Sequence, residues 1–163
     1  MAIASILKKV FGSKADRDLK QIRPVLNKVL EAYGPIDKLS NDELRAKTEE
    51  LKARLRECEA PFEKRIAEIK AKLDEDIPVH EKESLATESD KLVKEEDAEI
   101  EKVLEEILPE AFAIMKSTAR RFKENATIEV TANDFDRALS INHDFVHIEG
   151  DKAVYQNHWI AGG

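Results

Sequence analysis

Apolar residues recur at intervals of three and four along most of this chain, and this spacing constrains the fold more than any other feature. The interval is that of an α-helix, so each stretch places its apolar side chains on one face. Five Gly and five Pro in 163 residues leave few points at which helices must end. The pattern predicts a mainly α fold: an irregular multi-helix array with an antiparallel helical hairpin and a small C-terminal β-hairpin.

The first eleven residues form a short amphipathic stretch. Lys8 and Lys9 lie away from its apolar face, Gly12-Ser13 ends the predicted helix, and two further cations follow. Such a helix either lies in a membrane interface, with its cations toward anionic headgroups, or packs on the domain or on a second copy. We predict membrane or partner binding by Ile3, Ile6, Leu7, Lys8, Lys9, Val10, Phe11, Lys14 and Arg17.

The next two predicted helices have clear start and stop signals. Asp16–Tyr33 keeps the helical spacing, with a kink or break expected at Pro24 and a stop at Gly34-Pro35. Ser40-Asn41-Asp42-Glu43 has the pattern of a capping box, in which Ser40 and Glu43 each accept a hydrogen bond from the other's backbone N–H. A helix is therefore expected to begin there.

Residues 57–108 differ from the rest of the chain in charge. They hold 18 acidic and eight basic side chains, a net charge of −10. Two apolar stripes flank a predicted turn at Asp74–Pro78, so this segment is expected to be an antiparallel helical hairpin. Charge runs of this kind are usually solvated faces; the alternative is contact with a basic partner, such as a ribosomal surface or a preprotein.

After Pro109, which suits a helix start or a kink, the chain changes character. Glu110–Glu124 is predicted to be a helix that buries Phe112, Met115, Ala119 and Phe122. Alternation then predicts a strand at Thr127–Thr131, a short helix at Asn133–Ser140 capped by Thr131 or Asn133, and a β-hairpin at Asp144–Tyr155 around Gly150-Asp151. No partner is predicted for Gln156–Gly163. The predicted units are residues 1–56, 57–108 and 109–163.

Charge and composition exclude several classes of function. Residues 1–30 hold seven Lys/Arg against two Asp/Glu, giving +5, whereas the whole chain has a net charge of −7. The overall acidity argues against a nucleic-acid binder, and no apolar run approaches the roughly 20 residues that span a bilayer. One cysteine, Cys58, and four scattered histidines predict neither a disulfide nor a metal site. No catalytic residue is predicted.

Three stretches together resemble the N-terminal region of the SecA family: Lys8–Lys20, Leu39–Leu55 (LSNDELRAKTEELKARL) and Ile107–Phe122 (ILPEAFAIMKSTARRF). The resemblance implies a cytoplasmic, peripheral protein on the inner membrane whose parent couples ATP hydrolysis to preprotein export through a SecYEG-like channel, with possible homodimer contacts. Residues 57–108 and 126–156 depart from the general family pattern and are interpreted as insertions.

The resemblance also predicts what this chain does not do by itself. In the SecA family, the phosphate-binding loop follows the LPEAFA motif, here Leu108–Ala113, and the five glycines of this chain lack its spacing. We therefore expect an N-terminal fragment without cofactors, ATP and Mg²⁺ belonging to the parent, and no ATP turnover. Two alternatives remain: a self-contained acidic helical interaction module, and a peripheral membrane protein without a motor.

Overall fold

The structure, a computed structural model, describes residues 14–158. Three long helices form its body, and a small sheet with one short helix follows. In chain order the elements are α1 (Lys14–Ile36), α2 (Asn41–Leu73), α3 (Val79–Glu124), β1 (Thr127–Thr131), α4 (Asp134–Asn142), β2 (Val146–Glu149) and β3 (Lys152–Gln156). The predicted mainly α fold is confirmed, although the β-hairpin proves to be part of a three-stranded sheet.

Helix α1 is longer and more continuous than its sequence predicts. It runs through Pro24, where a kink or a break was predicted, so the break is wrong. It ends at Ile36, one residue beyond the stop predicted at Gly34-Pro35. A proline removes one backbone donor and leaves a carbonyl without its helical partner. Around Pro24 the helix is exposed, so water can solvate that carbonyl. The N–H that is missing at Pro35 would have paired with the carbonyl of Glu31, an exposed residue, so water can solvate that carbonyl as well.

The capping box at the start of α2 is confirmed. The backbone N–H of Glu43 donates to Ser40 Oγ at 3.2 Å, and the N–H of Ser40 donates to Glu43 Oε2 at 2.7 Å. Helix α2 then continues to Leu73 without interruption. Helix α3 likewise runs through Pro109 as one element, so the new helix predicted to start there is wrong, and the alternative of a kink stays a prediction. The division at residues 56 and 108 stays a prediction, and one helix crosses each boundary.

Helices α2 and α3 form the predicted antiparallel hairpin, joined by a turn within Asp74–Pro78. Ile66 and Ile69 of α2 are buried between the two helices, and Ile69 has no exposed surface. Ion pairs cross the hairpin as well: Arg65 Nη2 lies 2.7 Å from Glu88 Oε1, and Arg54 Nη2 lies 3.2 Å from Glu106 Oε2. Most acidic residues of 57–108 therefore lie on the outer, exposed faces of the two helices.

The sheet has the strand order β1-β3-β2, with both pairs antiparallel. Gly150, with φ of 64°, makes the turn between β2 and β3, as predicted. Asn133 caps α4, which extends to Asn142. The prediction that Gln156–Gly163 has no partner is wrong for its first two residues. The N–H of Gln156 donates to the Phe145 carbonyl at 2.8 Å, and the N–H of Asn157 donates to the Ala126 carbonyl at 3.0 Å.

Two separate apolar cores result. We call the first the helical core; its buried members are Ile36, Leu44, Leu51, Ile107, Ala113 and Ile114. The second lies between the sheet and α4 and contains Val130, Val146 and Ala153. Among residues 14–158 no residue belongs to both clusters, so the two parts of the molecule are attached mainly through contacts outside these cores.

Candidate functional site

An uncovered apolar stripe on α1 is the described feature closest to the predicted docking residues. Val29 and Ile36 lie on this face and are buried at its C-terminal end. Farther toward the N-terminus the same face keeps about half of its surface exposed, between 48% and 57%, at Leu19, Ile22, Leu26 and Leu30. The apolar face predicted from the spacing therefore exists, but only its C-terminal end enters the helical core.

Basic residues accompany this stripe. Lys14 and Arg17 lie at the start of α1 and are exposed. Residues 14–30 carry five basic and two acidic side chains, a net charge of +3. The other residues predicted for membrane or partner binding lie outside the described residues: Ile3, Ile6, Leu7, Lys8, Lys9, Val10 and Phe11. The structure thus places two of the nine predicted residues, and both are accessible to a partner.

A second exposed apolar surface lies on α3 and corrects a prediction. Phe112 and Met115 were expected in the core, yet they are 57% and 68% exposed, and Ala119 is exposed too. The face turned toward α1 and α2 instead carries Ala113, Ile114, Ser117 and Arg121. Both faces have helical spacing, and the prediction placed the more apolar one in the core. Contacts with the earlier helices select the other, leaving the larger side chains outside.

Polar contacts fix the end of α1 against α3. Asp37 Oδ1 accepts hydrogen bonds from Ser117 Oγ at 2.8 Å and from Arg120 Nη2 at 2.9 Å. Burial tends to raise the pKa of the Asp37 carboxyl, but these hydrogen bonds outweigh it and lower the pKa. Beside them, Lys116 Nζ lies 4.3 Å from the centre of the Tyr33 ring. Together these contacts set the direction in which the apolar stripe of α1 leaves the body.

Arg121 joins the loop before α2 to α3. Its side chain is almost fully buried, with 9% exposed. Its guanidinium donates to Asn41 Oδ1 at 2.7 Å and to the Leu39 carbonyl at 2.5 Å. The sequence does not indicate that Arg121 is buried, because most arginines on a helix are exposed. The only available signal was its spacing from Ala113, Ile114 and Ser117.

A cleft of about 210 Å³ lies where α2, α3 and the sheet meet. Arg45 and Arg121 stand among its lining residues, and most of the other walls are apolar. The apolar walls are formed by Leu44, Ile114, Phe122, Ile128 and Val130. The Arg45 guanidinium is paired with Asp136 and that of Arg121 with Asn41 and the Leu39 carbonyl, so the cleft offers mainly apolar contact, which suits a side chain or a chain segment.

Among residues 14–158, no three His, Cys, Asp or Glu side chains are grouped so as to hold a metal ion. None of the described helices is both long enough and apolar enough to cross a bilayer. His147 is engaged locally, with Nε2 lying 2.8 Å from Glu149 Oε1.

Comparison with known proteins identifies a consistent set of relatives. The family model described as the SecA DEAD-like domain matches residues 7–134. A protein translocase subunit SecA of Porphyromonas gingivalis is 48% identical over 163 residues, covering all of this chain and 15% of its own length. The same subunit of Phocaeicola vulgatus is 49% identical over 164 residues, and that of Christiangramia forsetii is 42% identical over 160 residues. No solved structure matches.

The alignments with these relatives include the hairpin and the sheet. The chain spans about 15% of the length of the curated relatives it matches. The alignment with the Porphyromonas gingivalis protein covers all of this chain, including residues 57–108 and 126–156. The two segments that depart from the general family pattern therefore fall within the region shared with such relatives.

Proposed function

Because this chain belongs to the SecA family, we propose that it forms the N-terminal part of a protein translocase motor that couples ATP hydrolysis to preprotein export through a SecYEG-like channel. Its relatives carry the name protein translocase subunit SecA, which supports this assignment. ATP and Mg²⁺ belong to the rest of the motor in this proposal. The chain itself holds no cofactor and does not turn over ATP.

Within such a motor, the chain docks the machine at the membrane and channel. The observation that carries this proposal is the half-exposed apolar stripe of α1 beside a net charge of +3 over residues 14–30. Each cation near an anionic surface contributes about 1 kcal/mol, and apolar burial adds a second, independent attraction. In the sequence, residues 1–11 also combine apolar side chains at helical spacing with two lysines, Lys8 and Lys9. The protein would accordingly be cytoplasmic and peripheral, on the cytoplasmic face of the inner membrane.

The remainder of the helical body braces the motor. Ser40–Leu55 and Pro109–Phe122 supply most of the helical core and the polar contacts of Asp37 and Arg121. The exposed surface of Phe112 and Met115 provides an apolar face for the rest of a longer polypeptide or for a second copy in a homodimer. Preprotein would engage the assembled motor.

Vesicle co-sedimentation tests the docking role. The 163-residue chain should bind vesicles containing anionic lipid more tightly than purely zwitterionic vesicles. Deleting residues 1–11, or making Lys14→Glu and Arg17→Glu together, should weaken that binding at least tenfold at low salt, because charge attraction is lost. The control is Lys91→Glu with Lys94→Glu, which reverses two exposed charges on the hairpin.

The control variant should bind as the unmodified chain does. Binding that is unchanged after both the deletion and the double charge reversal would remove the basis for docking through this region. Loss of binding in the hairpin control to the same extent would show that only net charge matters, and would contradict a localised site.

A further inference from the structure

The sheet, α4 and their connections form what we call the sheet unit, residues 126–157. Its apolar core lies between the strands and α4 and shares no residue with the helical core. Where the two meet, the apolar side chains line the open cleft of about 210 Å³. Apolar surface that is not in close contact contributes little to holding two parts together. The attachment must therefore depend largely on other contacts.

Polar contacts from the first two turns of α2 supply the attachment. Asp42 accepts hydrogen bonds from Thr131 through both the backbone N–H and the Oγ1 hydroxyl, each at 2.8 Å. Asn41 Nδ2 donates to the Glu129 carbonyl at 2.9 Å. These bonds occupy the outer edge of β1, the edge that does not pair with β3.

One ion pair completes the connection. Arg45 of α2 donates to Asp136 of α4 through both ends of its guanidinium, at 2.8 Å to Oδ2 and 2.6 Å to Oδ1. Asp136 has no exposed surface and also accepts from Tyr155 Oη at 2.5 Å and from the Asn133 N–H at 2.9 Å. Arg45 therefore forms an ion pair with a carboxylate that other hydrogen bonds hold in place inside the sheet unit.

We propose that the Arg45–Asp136 and Asp42–Thr131 contacts form a latch that holds a separately opening sheet unit against the helical core. The unit hinges at Asn125-Ala126, where α3 ends and β1 has not begun. Release of the latch swings the unit away and widens the cleft, while each part keeps its own apolar core. Such local opening requires less free energy than global unfolding.

Hydrogen exchange measured by mass spectrometry on the full chain tests the latch. Arg45→Ala should speed amide exchange at least tenfold in β1, α4, β2 and β3, and leave the amides around Leu51 and Ile107 unchanged. The matched control is Arg54→Ala on the same helix, which breaks the ion pair with Glu106. That control should leave exchange in the sheet unit at the rate of the unmodified chain.

The unmodified chain gives an independent readout. In low urea, sheet-unit amides should exchange through an opening with a smaller urea dependence than the helical core amides, since less surface becomes exposed. Three outcomes would overturn the proposal: equal acceleration of both parts in Arg45→Ala, no acceleration in either, or loss of all structure in that variant. A common urea dependence for the two sets of amides in the unmodified chain would do so too.

Discussion

Asp136 is a buried charge held by four donor atoms. The Arg45 guanidinium supplies two of them, and Tyr155 Oη and the Asn133 N–H supply the others. Burial alone would raise the pKa of this carboxyl, but its hydrogen bonds to Arg45, Tyr155 and Asn133 lower it to about 2. Burial and the same hydrogen bond raise the pKa of the Tyr155 hydroxyl to about 12. The charged carboxylate and the neutral phenol are therefore the forms the fold requires.

The lowered pKa of Asp136 predicts acid sensitivity. Its ordinary value is 3.8, so its contribution to folding is fully present above about pH 4 and is lost as the pH falls toward 2. Between pH 5 and pH 2, the unmodified chain should lose roughly 2 kcal/mol more free energy of unfolding than Asp136→Asn, measured by urea denaturation. Equal pH dependence in the two proteins would contradict this role for Asp136.

The reversed face of α3 predicts opposite outcomes for two adjacent residues. Ile114 is 8% exposed within the helical core, whereas Met115 is 68% exposed. Ile114→Ala should lower the free energy of unfolding by about 2–4 kcal/mol, because it removes buried methyl groups and leaves a cavity. Met115→Ala should change it by less than about 0.5 kcal/mol. Thermal or urea denaturation of the two variants measures both, and a larger loss for Met115→Ala would contradict the observed face.

At the scale of elements, the long helices tolerate prolines that a sequence pattern treats as ends. Pro24 and Pro61 are exposed residues inside helices α1 and α2, and Pro109 is half-buried inside α3, a helix of 46 residues. Each removes one hydrogen bond. Water can solvate the freed carbonyl around the exposed Pro24, whereas buried residues on both sides of Pro61 and Pro109 hold the helix in place there. Helix α3 continues through Pro109 because Ile107 and Ala113, on either side, both pack into the helical core.

The position of the helical core predicts that the outer hairpin is dispensable for folding. Every buried member of that core lies outside residues 58–104. Replacing residues 58–104 with a short Gly/Asn turn should leave a cooperative unfolding transition, because Leu51 and Ile107 still meet. Circular dichroism should show less helix with the transition retained. A linear, non-cooperative melt would show instead that the hairpin is needed for the fold of the remainder.

At the scale of the whole molecule, local signals could be predicted and long-range choices could not. The capping box at Ser40, the turn at residues 74–78 and the hairpin turn at Gly150 each depend on a few neighbouring residues, and all three are confirmed. The burial of Arg121 and the choice between the two faces of α3 depend on which helices pack together. Arg45 and Asp136 are 91 residues apart, so no local pattern indicates that they pair.

Helices α2 and α3 run without a joint from the helical core to the turn at residues 74–78. From residue 57 to Leu73, α2 extends about 25 Å at 1.5 Å per residue. A helix pair of this length, continuous in both helices, would act as a lever arm. A sideways push at the tip would be transmitted as torque to Leu51 and Ile107, where α2 and α3 enter the helical core, instead of being dissipated in a flexible joint.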